Sequence, residues 1–415
     1  MTECHAAALG RCYAHAMHNK MSPGLVVVFL SLLLGIQPVA TDLYLPALPA
    51  LKESLNGTHT QVQLTFTGLL LAFGASQLIW GPLSDRFGRK PVLLLGNALF
   101  CLASVGAALS TQMDQLIVWR SLQGAAMGAA VMCARALIRD LYAPELGARV
   151  LSKGLTGLGV IAVGSGPLGG ALAAQFGWHG AMWALAVFSA IIVLMLLVSF
   201  EETVHTKNLH ALMPGPMLCN WGEIVRHPVF NSYALLNVAS YCALFTFLAS
   251  GSFVFLRVHG MSLLAYSLIM VASSATFIAA TFLCRHLLHA IGLQRTVRVG
   301  GGMALTSGVV MGGLALAGFT HWLAFMVPHI VFMASHGLNQ PCSQAGCIAP
   351  FSRIAGTASA VSGFMMMIAA FAMGLWLAAH MDGTVFPLVA GMCFWIFVTA
   401  AVALGLVQRW GRVVH

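Results

Sequence analysis

Apolar residues run in blocks of about 20 along nearly the whole chain, broken by short stretches rich in Gly, Pro, Arg and Lys. A helix needs roughly that many apolar residues to cross a bilayer. The blocks predict twelve crossings: 25–47, 61–83, 91–110, 115–138, 152–174, 180–200, 228–250, 264–284, 297–318, 322–347, 355–379 and 385–407. Most connections are short. The exception is 201–227, "EETVHTKNLHALMPGPMLCNWGEIVRH", a polar linker that divides the chain into six plus six. The predicted organisation is a leader over 1–24, a six-helix bundle over 25–200, the linker, a second bundle over 228–408 and a tail over 409–415.

Composition agrees with a membrane protein. Of 415 residues, 59% are apolar and 7% charged, against about 25% charged in a soluble domain. Mean hydropathy is +0.87. The first apolar block begins after residue 24, with no cleavable signal-peptide pattern. The His-rich leader "MTECHAAALGRCYAHAMHNK" reads as a polar tail, or as the product of a start codon upstream of Met21, and has no recurring metal-ligand spacing. No metal site is expected. Seven of the ten cysteines, Cys101, Cys133, Cys242, Cys284, Cys342, Cys347 and Cys393, lie in apolar blocks, where a thiol behaves as a small hydrophobe rather than as part of a disulfide framework.

The formal charge of +9 is informative through its distribution. With both termini on one side, sixteen of the 20 Lys and Arg lie on that side, Lys52 and Arg257 lie on the other, and Arg120 and Arg135 lie inside a span. This bias predicts that the basic side is cytoplasmic, with lipid rather than nucleic acid as the chain's surroundings. The Asn56-Gly57-Thr58 sequon then falls in an outer loop. The stretches "YAPELGARVLS" (142–152) and "APFSRIAGTASA" (349–360) each carry Ala-Pro at the entry to a span, half a chain apart. Six-helix parallel repeats of this kind occur in secondary transporters.

Of the eleven acidic residues, only Asp42, in "IQPVATDLYLPALPAL", lies deep within a span. An intramembrane charge costs on the order of 3 kcal/mol and is a functional-site hypothesis by default. Asp42 is about 26 Å from the start of its span and Arg120 about 8 Å from the outer start of its own, at 1.5 Å per residue. The similar depth predicts that the two face one cavity. Motion of a cation beside a desolvated carboxylate can switch it between holding and releasing a proton. A fixed ion pair, or an Asp ending a helix before Pro46, is the structural alternative. Further candidates for the cavity lining are Gln37, Tyr44, Gln61 and Gln123 in the first half, and Asn237, Tyr241, Tyr266, His336 and Asn339 in the second. His329 and His336, seven apart, share a helix face.

The stretch "GPLSDRFGRK" (81–90) has the pattern G-x3-D-R-x-G-R-K, supplied by Gly81, Asp85, Arg86, Gly88, Arg89 and Lys90. The glycines permit a tight turn and close backbone approach. The cations hold the loop on the basic side, and Asp85 can sit at a neighbouring helix N-terminus or pair with arginine. In this the chain resembles the major facilitator superfamily, whose loop motif has this form. "WRSLQGAAMG" (119–128) is similar to that family's fourth-span motif, through Arg120, Gln123 and Gly124. "GLGVIAVGSGPLGG" (157–170) is similar to its fifth-span antiporter motif, through Gly164, Gly166, Pro167, Gly169 and Gly170, with the spacing after the proline off by one. "ATDLYLPALP", "IRDLYAPELGARVLS", "EET" and "APFSRIAGTASAVSGF" resemble the Bcr/CflA branch of drug:proton antiporters. The likeness covers roughly 24 to 408.

The resemblance implies an all-α membrane fold of twelve transmembrane helices in two six-helix bundles. It also implies a monomer in the bacterial inner membrane that exports a small molecule against protons. A proton gradient serves in place of any cofactor. No G-x-x-x-x-G-K-[ST] phosphate loop, H-E-x-x-H pattern or G-x-S-x-G elbow occurs, so no enzyme is expected. The alternative function is export, or less readily import, of a metabolite such as an amino acid, nucleoside or siderophore.

Overall fold

A computed structural model describes residues 21–44, 51, 54–55, 58–204, 207–208, 211–351, 353–380 and 384–411. The leader over 1–20, the end of the first predicted span, the sequon's Asn56 and Gly57, and residues 412–415 lie outside the described residues.

Helix α1 (Pro23–Asp42) starts where Ser22 accepts a hydrogen bond from the Leu25 N–H, with Pro at the first helical position. Both are ordinary helix-start chemistry, since the first N–H groups have no partner inside the helix. Helix α2 (His59–Phe87) starts with a capping box between Thr58 and Gln61. There follow α3 (Arg89–Ala108), α4 (Met113–Leu141) and α5 (Pro144–Ser199). The linker contains a short helix, α6 (Pro214–Arg226), that its polar sequence did not announce. The second half has α7 (Pro228–Ser252), α8 (Leu263–Leu316), α9 (Leu323–Ile348), α10 (Ala355–His380) and α11 (Phe386–Ala401).

Nine helices among the described residues are long and apolar enough to cross a membrane. Two of them count double. Unbroken, the 56 residues of α5 would span about 84 Å, nearly three times a hydrocarbon core of about 30 Å. The chain reverses at Gly177 (φ 65°) in α5 and at Gly292 (φ 76°) in α8, in backbone conformations that strain any residue with a Cβ. Each helix therefore supplies two crossings. The more polar α9 packs between α8 and α7 and completes the twelve.

Within each bundle, helices touch through small residues. Gly124 of α4 lies directly on the Leu69 carbonyl of α2, and Gly169 of α5 lies on the Leu43 carbonyl after α1. A Cβ at either would collide with backbone, which is how glycine lets two helices approach closely in lipid.

Candidate functional site

The two bundles meet along a seam, and at its basic end the loop after α2 forms a clamp. Gly81 faces α10 so closely that a Cβ would sit 2.6 Å from that of Ala360. One turn on, Asp85 crosses the seam. Its Oδ1 accepts from the Gly356 N–H at 2.9 Å, and its Oδ2 from the Thr357 N–H at 2.8 Å and from the Thr357 hydroxyl. The local reason lies in α10. Its first backbone hydrogen bond runs to the carbonyl of Ile354, an N-cap position whose side chain has no acceptor for the next N–H groups. Asp85 supplies that acceptor from the other bundle, with a charge that suits the positive end of the helix dipole.

Arg89 fixes Asp85 in place. Only 2% exposed, it donates to Asp85 Oδ1 at 2.8 Å and to Asp140 of α4 at 2.8 and 3.3 Å. Glu202 occupies the space where Gly88 (φ 106°) lacks a Cβ, and accepts from the Arg89 and Lys90 N–H groups at 2.8 and 3.1 Å, capping α3. Arg86 is half-buried over the Phe87 ring. A second cap runs beside the first. Arg139 of α4 donates to the carbonyl of Ala349 at the C-terminal end of α9, at 2.8 Å. The carboxylate thus meets a helix N-terminus and the guanidinium a C-terminus, each matching the dipole it faces.

Along α5 the seam changes character. Ser152 and Thr156 bond to Thr281 of α8, and Gly159 packs on Ile278 with its absent Cβ 2.9 Å away. Gly166 and Gly170 lie seven and eleven residues beyond Gly159, on the same helical face. Around both, nothing lies within 4 Å. The seam is packed near the basic end and bare toward the other. Of the antiporter-motif residues, Gly169 makes the close contact, while Gly164, Gly166 and Gly170 face open space and Pro167 is exposed. Gly164 borders an apolar groove of about 960 Å³ on the flank of the first bundle, lined by Val39, Leu43, Leu168 and Trp183, with none of the candidate polar residues in it.

The middle of the seam is polar. Gln37 of α1 donates to the Tyr241 hydroxyl of α7 at 3.2 Å, joining the halves. Asn237 donates weakly to Ser362 Oγ at 3.4 Å. His336 shares a 2.7 Å hydrogen bond with Ser240 and sits against the Phe277 and Phe332 rings. His329 stacks on Phe247, with neither ring nitrogen bonded among the described residues. Tyr266 is half-buried near Phe255.

Several expected lining residues are elsewhere. Gln61 belongs to the capping box of α2 and bonds Asp114 at 3.0 Å. Tyr44 (to Thr65, 2.7 Å) and Gln123 (to Ser104, 2.7 Å) are buried inside the first bundle. Asn339 is buried against Gly300 within the second.

The expected pairing of Asp42 with Arg120 is also absent. Fully buried Arg120 donates to Gln123 Oε1 at 2.8 Å and to the Ala40 carbonyl at 3.0 Å, and stacks over the Tyr44 ring at 4.1 Å. The Ala40 carbonyl is one of those left without an intrahelical partner in the last turn of α1, so Arg120 caps that helix. Asp42 lies two residues on and is not among the partners of Arg120. It is half-buried at the last residue of α1 and accepts from Thr41 Oγ1 at 2.8 Å. The parts that Asp140, Glu202, Gly356 and Thr357 play in the clamp become visible only in the fold.

Residues 30–374 match the family model described as Major Facilitator Superfamily. The chain is 24% identical to the bicyclomycin resistance protein homolog of Haemophilus influenzae, over 92% of this chain and 97% of the relative. It is 28% identical to a chloramphenicol resistance protein of Pseudomonas aeruginosa, over 77% and 75%, and 27% identical to multidrug resistance protein D of Escherichia coli K12, over 83% and 86%. Among solved structures it superposes on a proton:xylose symporter with a TM-score of 0.74 at 13% identity, covering 93% of this chain and 95% of that one. The fucose:proton symporter of E. coli gives 0.72 at 13%, covering 91% and 98%. With two six-helix bundles, the loop clamp between them and a family match over most of its length, the chain belongs to the Major Facilitator Superfamily.

Proposed function

We propose that this chain exports small hydrophobic or amphipathic compounds, antibiotics among them, in exchange for protons by alternating access. Relatives named for bicyclomycin, chloramphenicol and multidrug resistance support the substrate class. The observation that carries the transport reading is the one-sided seam, capped across at Asp85 and bare at Gly166 and Gly170. An alternating-access carrier needs one such state and its mirror. The positive-inside bias makes the basic end cytoplasmic, with both termini inside the bacterial inner membrane. The state described then opens outward.

Asp42 carries the coupling proton in this reading, because it is a half-buried acid at the end of a spanning helix and has no cation within ion-pair reach among the described residues. Arg120 acts on it indirectly, by holding the end of the helix that bears it. A proton moving inward releases about 2.3 kcal/mol per 100 mV, enough for modest accumulation with no nucleotide or cofactor. The working unit is a monomer in the bilayer, with protons and the exported compound as its partners.

The test is chloramphenicol efflux from proteoliposomes under an imposed pH gradient. Asp42→Asn should abolish gradient-driven efflux, since an amide cannot titrate, and should leave binding of this neutral compound largely intact, since the amide keeps size and hydrogen-bonding capacity. Wild-type proton release on substrate addition in Asp42→Asn would overturn the assignment and transfer it to His336 or His329.

A further inference from the structure

We infer that Arg135 anchors a second ligand site, on the cytoplasmic side of Tyr241, that takes the carboxylate of an amphipathic substrate. The inference rests on the export reading above, which has substrate entering from that side. Arg135 lies in α4 six residues before its end, about 9 Å from the basic end of the helix, and is 5% exposed. Unlike Arg89, it has no carboxylate within ion-pair distance among the described residues. Its Nε and Nη1, which carry three of its five N–H groups, are buried without an acceptor. The titratable groups that act on it are the Tyr241 hydroxyl and the Cys347 thiol, neither of them an acid at neutral pH.

The surroundings are built from both bundles. Gly363 of α10 presents a bare Cα, and both Gln77 Oε1 and Arg135 Nη1 press into the space its Cβ would fill. The Cys347 thiol accepts from Ser362 at 3.6 Å, and Tyr241 receives the amide of Gln37, leaving its own O–H hydrogen free to donate. Three N–H groups of Arg135 thus stand unused beside Gln77 Oε1, an orphaned acceptor at the spot. A ligand that completes this set brings oxygen acceptors and negative charge. A cation would meet an uncompensated guanidinium in a medium of low dielectric constant.

Position gives the site its use. Arg135 lies just inside the clamp made by Asp85 and Arg139, with its neighbours divided between the two bundles. When the clamp opens, the bundles part through this cluster and the guanidinium becomes the first interior charge that cytoplasmic substrate meets. When the clamp closes, an anion held there is enclosed and passed toward Tyr241 and Gln37.

The experiment compares three probes with one aromatic body: 1-naphthylacetate, 2-(1-naphthyl)ethanol and 2-(1-naphthyl)ethylammonium. Each is titrated calorimetrically into the purified full-length protein with no pH gradient. In wild type the acetate should bind about ten-fold more tightly than the alcohol, as expected for hydrogen bonds to a charged group, and the ammonium most weakly. Arg135→Gln should erase the advantage of the acetate while leaving alcohol binding nearly unchanged. Arg135→Lys, which keeps the charge on fewer donors, should restore part of it. Wild-type binding of the ammonium as tight as that of the acetate would overturn the inference. So would an unchanged acetate-to-alcohol ratio in Arg135→Gln, or equal loss of all three probes. Because binding is read without a gradient, failure here leaves proton-coupled export standing, and failure of Asp42 as proton carrier leaves this result unaffected.

Discussion

The two ends of the first arm of α5 differ. At Ser152 and Thr156 the face is hydrogen-bonded to the opposite bundle, and at Gly159 it is in van der Waals contact. At Gly166 and Gly170 a Cβ would meet nothing within 4 Å. One helix, one face and similar small residues thus give a closed end and an open one. What also distinguishes the closed end is a set of charged groups that cap helix ends across the seam, Asp85 and Arg139. Small residues permit closure at either end, and in the proposed cycle directional caps decide which end is closed.

The largest effect should come from Asp85→Asn. Removing one member of a buried ionic network costs about 3–5 kcal/mol, and here it also uncaps α10. The basic end should open. Spin labels at half-buried Arg86 and exposed Arg353, in a background lacking exposed Cys219, should then report a longer distance. Turnover should fall, with substrate affinity changed little. An unaltered distance distribution would mean that the clamp does not set the equilibrium.

A pair of substitutions sharpens the comparison, because its members should act with opposite signs. Gly81→Leu forces atoms into Ala360 and the backbone of Thr357, and overpacking of this kind costs about 1–3 kcal/mol. It should therefore shift the same distance toward the open basic end. Gly166→Leu meets open space in this state, and obstructs only the state in which the other end closes. It should lengthen the residence of the state described here, with the basic end closed. Equal shifts in one direction would remove the argument from the bare face of α5.

Arg139→Gln should have the smallest effect. A cation at a helix C-terminus contributes about 0.3–1 kcal/mol, up to roughly 2 when partly buried. The distance distribution should broaden without inverting. A change as large as that of Asp85→Asn would place the main latch at α9 rather than α10.

The comparison also separates what was legible in the chain from what was not. The crossings were legible, since apolar length reports directly on lipid, and the turn at Gly177 falls between two predicted spans. The chemistry of Asp85 was legible as two options, a helix N-terminus or an arginine, and the fold uses both. Its acceptor role at Gly356 and Thr357 was not, because those N–H groups lie 271 and 272 residues away. Gln61 carried its own correction, since Thr58-x-x-Gln61 has the spacing of a capping box. Arg120 was placed correctly in height and wrongly in partner. Counting residues along a helix gives depth at 1.5 Å per step, but a rotation of 100° per step makes the angular position of a neighbour depend on how two helices are packed.

By itself, then, the sequence determined the membrane class, the twelve crossings, the six-plus-six division and which side carries the basic residues. These follow from local quantities, such as apolar length, charge placement and turn residues. Only the tertiary structure decided that the latch is engaged, that Arg120 caps α1 instead of pairing with Asp42, and that Arg135 is left without an acid. Those outcomes depend on which helix ends and faces two separately formed bundles present to each other. Nothing in the sequence near any one of these residues encodes that relation.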